Sequence, residues 1–167
     1  MTTTEPLEGG PGTALDAYLA LIDEMLGGPF PETDVHDATG WGGPGHRVRV
    51  LRVGRDLWND DDGRGREESW TQMQARLDAL VAALGPCRGD PVVVDLGPYL
   101  VAGCNGEDVP EPLDSLSQQT VMMQAWPIPE RDRWLGLSFG QADRELPFRL
   151  FAAVGAAGSL DLGADTP

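Results

Sequence analysis

In the last third of the chain, apolar side chains fall at every second position, three times in succession. Val121, Met123 and Ala125 make the first set, Leu135, Leu137 and Phe139 the second, and Leu146, Phe148, Leu150, Ala152 and Val154 the third. A period of two is the signature of a strand with one face against a core. The connecting stretches WPIPERDR and GQADRE carry turn residues, so the region reads as an antiparallel meander.

Upstream, the period changes. Leu15, Tyr18, Leu19, Ile22, Met25 and Leu26 recur at helical spacing, and Gly27, Gly28 and Pro29 stop the run. His46 to Val53 alternates arginine with valine and predicts a strand with one wet face. A second helical stripe follows, made of Trp70, Met73, Leu77, Leu80, Val81 and Leu84. Ser69 and Gln72 resemble a capping box at its start, and Gly85-Pro86 a stop. Pro91 to Leu96 predicts a short apolar strand, and Tyr99 to Val101 a further short strand or turn before a Pro-rich acidic loop.

This order predicts an α+β domain: an antiparallel sheet of four to six strands ending in the meander, with two amphipathic helices packed on one face. A single domain over 13–154 is expected, with residues 1–12 as a flexible arm and 155–167 as a flexible tail. The Gly/Pro/Asp-rich stretch 28–45 is long for a loop, so it is either functional or poorly ordered.

The chain has no lysine. Its twelve cationic side chains are all arginine, against twenty-seven Asp and Glu. A Walker-type phosphate loop and Schiff-base chemistry both need the missing amine. The net charge of −15 repels nucleic acid and anionic membrane and draws basic partners at long range. It is unevenly spread: residues 1–45 carry eight carboxylates and no arginine, 46–90 eight of each, and 91–167 eleven against four. Cys87 and Cys104 match neither a disulfide framework nor a zinc spacing and read as thiols of a reducing compartment. A cytoplasmic protein is expected, without cofactor or metal.

Several motifs tempt and fail on context. Gly136-Leu137-Ser138-Phe139-Gly140 matches a nucleophile elbow, but both histidines precede the serine and a strand follows it. An EF-hand placed on Gly63 would need carboxylates where Trp58 and Ser69 stand, so Asp60, Asp61 and Asp62 read as an acidic turn. His36 and His46 bracket the 28–45 stretch, and nothing in the spacing brings them together. Arg47, Arg49, Arg52 and Arg55 form the one cationic run; cross-strand pairing with carboxylates is the expected use, anion contact the alternative.

The composition favours a small acidic protein-binding module for a basic partner, of the kind an immunity or antitoxin-type inhibitor represents. Its expected partner surface comprises Trp126, Trp134 and Phe151, which fall opposite the predicted core face, together with Asp143, Arg144, Glu145, Asp60, Asp61 and Asp62. The aromatics belong to that surface only if neither helix nor N-terminal arm covers them. Self-association through a sheet edge is open as well. Two alternatives stand beside this: an enzyme or ligand-binding domain with a loop-built carboxylate/arginine site, and a structural subunit of an assembly. A pocket gathering Asp95, Arg49 or either histidine would favour the former.

Overall fold

The computed structural model describes residues 11–162. Helix α1 (Pro11–Gly27) leads into strands β1 (Val35–Asp37), β2 (Gly40–Gly43) and β3 (His46–Val53). Helix α2 (Arg64–Arg88) and strand β4 (Val92–Asp95) follow, then the short helices α3 (Gly97–Cys104) and α4 (Leu113–Ser117). The chain closes with β5 (Met122–Ile128), β6 (Arg133–Gly140) and β7 (Arg149–Ala156). All pairings are antiparallel, in the order β1-β2-β3-β7-β6-β5-β4.

The α+β class stands, but the sheet has seven strands where four to six are expected. The extra strands come from the 28–45 stretch, which folds as the β1–β2 hairpin. The alternation that marks β3 is broken by a register shift between Val50 and Arg52, a bulge that turns the strand locally.

The two long helices share one face, as expected, but that face is not the only one covered. Helices α1 and α2 cover the face that carries Trp126, Ile128, Leu135, Leu137, Leu150, Ala152 and Val154. The opposite face is covered too: Leu96, Leu113, Leu116 and Leu160 pack there on Val48, Met123, Ala125, Trp134, Phe151 and Ala153. Strands buried on both faces lose the polar half of their alternation. Hence β7 is apolar and buried from Leu150 through Gly155. The second layer is built from the 96–121 segment and residues 157–162, which explains two differences at once. Tyr99 to Val101 lies inside α3, and the expected flexible tail is strand to Ala156, a single turn at Ala157–Ser159 and a buried Leu160. Residues 163–167, like 1–10 of the expected arm, lie outside the described residues.

Helix α2 is longer than its sequence punctuation implies. It starts at Arg64, where Asp60 reaches forward: its two carboxylate oxygens accept the amides of Gly65 at 2.7 Å and Arg66 at 3.0 Å. These are the donors that an N-cap side chain would satisfy. Ser69 is therefore inside the helix and buried. At the other end Gly85 and Pro86 sit in the last turns, and Gly89, at φ +78°, ends the helix while its amide donates to the Gly85 carbonyl. The Gly89 carbonyl in turn accepts the Trp126 indole N–H at 2.9 Å.

Candidate functional site

The expected partner surface divides. Trp126, Trp134 and Phe151 are each at most 1% exposed, so the aromatic part of the expectation is corrected: all three are core. Trp126 lies under α2, and the Trp134 indole N–H donates at 2.9 Å to Ser159 Oγ of the Ala157–Ser159 turn. Covering the second sheet face removes the reason to expect Trp134 and Phe151 outside, while α2 itself covers Trp126.

The charged part converges. Asp60, Asp61 and Asp62, at the entrance to α2, line a cleft of about 470 Å³ with Arg144 and Glu145 of the β6–β7 loop and with Leu57, Trp58 and Arg66. Trp58 is 67% exposed. Asp143 is not among the lining residues; its backbone carbonyl accepts Leu146 N–H, and its side chain accepts Glu145 N–H at 3.4 Å, holding the loop turned. Asp62 accepts the Arg64 amide and lies 3.7 Å from its guanidinium. The Asp61 side chain makes no hydrogen bond or ion pair among the described residues.

On the other side of Arg66 opens an apolar groove of about 480 Å³, bounded by Trp70 and Leu77 of α2, by Val93, Val121 and Met122, and by Phe139 and Phe148. Trp70 is 47% and Val121 61% exposed, and Val93 and Met122 are exposed as well. Trp70 meets Phe139 edge-on at 5.6 Å. Arg66 separates and joins the two concavities: its guanidinium donates to Gln141 at 2.9 Å and sits 5.5 Å from the Phe148 ring. Sequence periodicity placed Trp70 in the buried stripe of α2, and that is corrected. With Met73, Leu77 and Leu80 facing the sheet, Trp70 falls at the margin of the covered arc. Next to the groove β4 is a sheet edge with Val92 and Val93 exposed.

A third concavity, of about 320 Å³, lies on the second sheet face. His36, Trp41 and His46 line it together with Asp34, Glu111, Ser115, Gln119 and Arg149. The β1–β2 hairpin puts His36 opposite Trp41, their rings 6.3 Å apart and near-parallel. This gathers the two histidines that spacing alone leaves apart. The Ser115 hydroxyl is occupied: it accepts the Trp41 indole N–H at 2.8 Å and lies 2.7 Å from Glu111 Oε1, to which it donates. It has no imidazole partner among the described residues, so a serine–histidine nucleophile is not assembled here.

The remaining motifs resolve as structure. Ser138 is buried within β6 and donates to the Met122 carbonyl at 2.6 Å, far from the strand-to-helix turn that an elbow requires. Of the cationic run, Arg55 pairs with Glu68 of α2, a helix partner in place of the cross-strand one expected. Asp37, hydrogen-bonded by the Thr39 hydroxyl and amide and near Arg49, is held below the usual carboxylate range. Both cysteines are exposed thiols. Among the described residues no group of three or more His, Cys, Asp or Glu side chains is placed to hold a metal ion, and no helix is long and apolar enough to cross a membrane. No family model, curated protein or solved structure matches the chain.

Proposed function

We propose that this chain is an acidic docking module for a basic protein. One observation carries the reading: the acidic cleft around Asp61 and Asp62 and the apolar groove around Trp70 are contiguous through Arg66. Interfaces combine an apolar centre, where buried aromatics supply most of the affinity, with a charged margin that sets approach and orientation. Trp70, Val121 and Met122 supply the first; Asp61, Asp62 and Glu145 supply the second. The partner that fits is a protein with an apolar anchor beside clustered Lys or Arg. In its finer form the proposal is an inhibitor of the immunity or antitoxin type, for which a net charge of −15 would serve to cover a basic groove.

The test is capture from native extract at low salt by immobilised wild-type, Trp70→Ala and Asp61→Asn/Asp62→Asn proteins. A specific partner should weaken by about thirtyfold with Trp70→Ala, the size of a typical aromatic hot spot. The double carboxylate variant should chiefly slow association and flatten its salt dependence. Proteins retained equally by all three would count against the surface.

A further inference from the structure

Strand β4 closes the sheet on the side of the apolar groove, and among the described residues no strand pairs with its outer edge. The ladder fixes which backbone groups that edge presents. In an antiparallel pair, opposed residues alternate between those that exchange both hydrogen bonds and those that exchange none. The register sets Val92 against Ala125 and Val94 against Met123, and it continues to Leu96, whose N–H donates to the Val121 carbonyl at 2.7 Å. Residues 92, 94 and 96 therefore bond to β5, and the N–H and C=O groups of Val93 and Asp95 point outward. None of those four groups has a hydrogen bond among the described residues.

The side chains along this open stretch define what could pair with it. Val93 is 57% exposed and lines the groove together with Gln124, its cross-strand neighbour. Val94 packs on the opposite sheet face, so Asp95, two positions from Val93, shares the groove side. Asp95 is exposed; its Oδ1 accepts the Gly97 N–H at 2.9 Å, and it has no ion pair among the described residues. Asp90, exposed just ahead of the strand, has neither hydrogen bond nor ion pair among the described residues. An incoming strand thus meets an apolar position and an acidic position two residues apart on one face.

We propose that an extended segment of the basic partner adds to β4 as an antiparallel eighth strand, bonded to the backbone of Val93 and Asp95, with an apolar side chain beside Val93 and a Lys or Arg beside Asp95. Strand addition takes its affinity from main-chain bonds and its specificity from alternate side chains. Opposite charges placed directly across a sheet stabilise the pairing. The inference deepens the docking reading above and rests on it for the class of partner. A second copy of this chain is the poorer occupant, since it brings its own net charge of −15. Self-pairing centred on Val93 would also set each Asp95 against Pro91, which has no N–H to give.

The test titrates the full chain with a capped peptide, acetyl-Lys-Thr-Val-Thr-Lys amide, and with two relatives of it. One carries N-methylvaline, which removes the N–H due at the Val93 carbonyl and leaves charge and side chains unchanged. The other has Gln in place of both Lys. The parent peptide should bind with a Kd of about 1 mM, the N-methyl form at least about tenfold more weakly and the Gln form about fivefold more weakly. On binding, amide exchange should slow at Val93 and Asp95 and stay unchanged at Val94, which is already bonded to β5. Val93→Pro removes an outward N–H and no bond to β5, and should weaken the parent peptide about tenfold. No binding of the parent at about 10 mM, equal binding of the N-methyl form, or equal binding of the Gln form would overturn the proposal. The peptide comparison is made on wild-type protein, so it stands even if Val93→Pro fails to fold. Failure of the docking surface is read separately: Trp70→Ala without effect on partner capture removes the groove, whereas N-methylation without effect removes strand addition.

Discussion

Replacing Asp60 by alanine should destabilise the fold by about 2 kcal/mol, although the residue lies in an exposed, acid-rich turn. Both of its carboxylate oxygens take backbone amides in the first turn of α2, from Gly65 at 2.7 Å and Arg66 at 3.0 Å. Loss of a helix cap costs about 0.5–2 kcal/mol, and hydrogen bonds to a charged acceptor lie at the strong end of the range. The Gly65 amide is sheltered, since Gly65 is buried and its Cα approaches Asp60 too closely for a side chain: a Cβ there would stand 2.7 Å from Oδ1. Water therefore replaces the lost carboxylate poorly. For a chain of this length, 2 kcal/mol corresponds to a fall in Tm of about 4–8 °C. Asp61→Ala, which removes no hydrogen bond or ion pair among the described residues, should stay within about 0.5 kcal/mol. Thermal and urea unfolding of the two variants side by side decides it, with amide exchange expected to quicken first in the opening turn of α2. Equal shifts for the two would mean that Asp60 is not the cap. The same distinction governs the docking test, where Asp61 reports on a partner while Asp60 reports on folding.

Further outcomes follow from packing and charge. Trp134→Ala should cost about 3–5 kcal/mol in urea unfolding, as a fully buried aromatic does, while leaving partner capture by the folded fraction unchanged; lost capture with intact stability would return Trp134 to the interface. Gly140→Ala would place a methyl 2.0 Å from the Gln119 carbonyl oxygen, a backbone contact that cannot rotate away, so a loss of at least about 2 kcal/mol is expected. Glu130 is held below its ordinary value near 4.5 by its hydrogen bond from Arg88. A depressed folded-state pKa adds stability that is full above the unfolded value and is lost as pH falls through the folded one. The wild type should therefore exceed Glu130→Gln in stability at neutral pH and converge with it in acid; a difference that persists below the folded pKa would refute this linkage.

How much of this could be read from the chain varies by element. Strand β3 has the bounds that its Arg/Val alternation implies, and α1 carries its six-residue stripe from Leu15 to Leu26 inside Pro11–Gly27. The start of α2 was hidden because its cap comes from outside the helix, while the serine that resembles a cap is packed beneath Gly54. Its end was hidden because a proline in the last turn sacrifices one hydrogen bond without stopping the chain. Helices α3 and α4 are eight and five residues long and rich in Gly, Pro and Ser around them, too short for a periodic signal. Without that layer in view, Trp134 and Phe151 read as exposed.

Side-chain spacing along the chain determined the two long helices, β3 and the closing meander, the α+β class and the acidity, because helix and strand periods are local properties and charge is a sum. The folded structure alone decided which faces are covered and which loops meet. Arg66 bonds Gln141 across seventy-five positions and Trp41 bonds Ser115 across seventy-four. Such contacts depend on how the layers stack, and no local pattern encodes them. The acidic cleft, the groove beside it and the cavity that His36 and His46 both line all arise at that level.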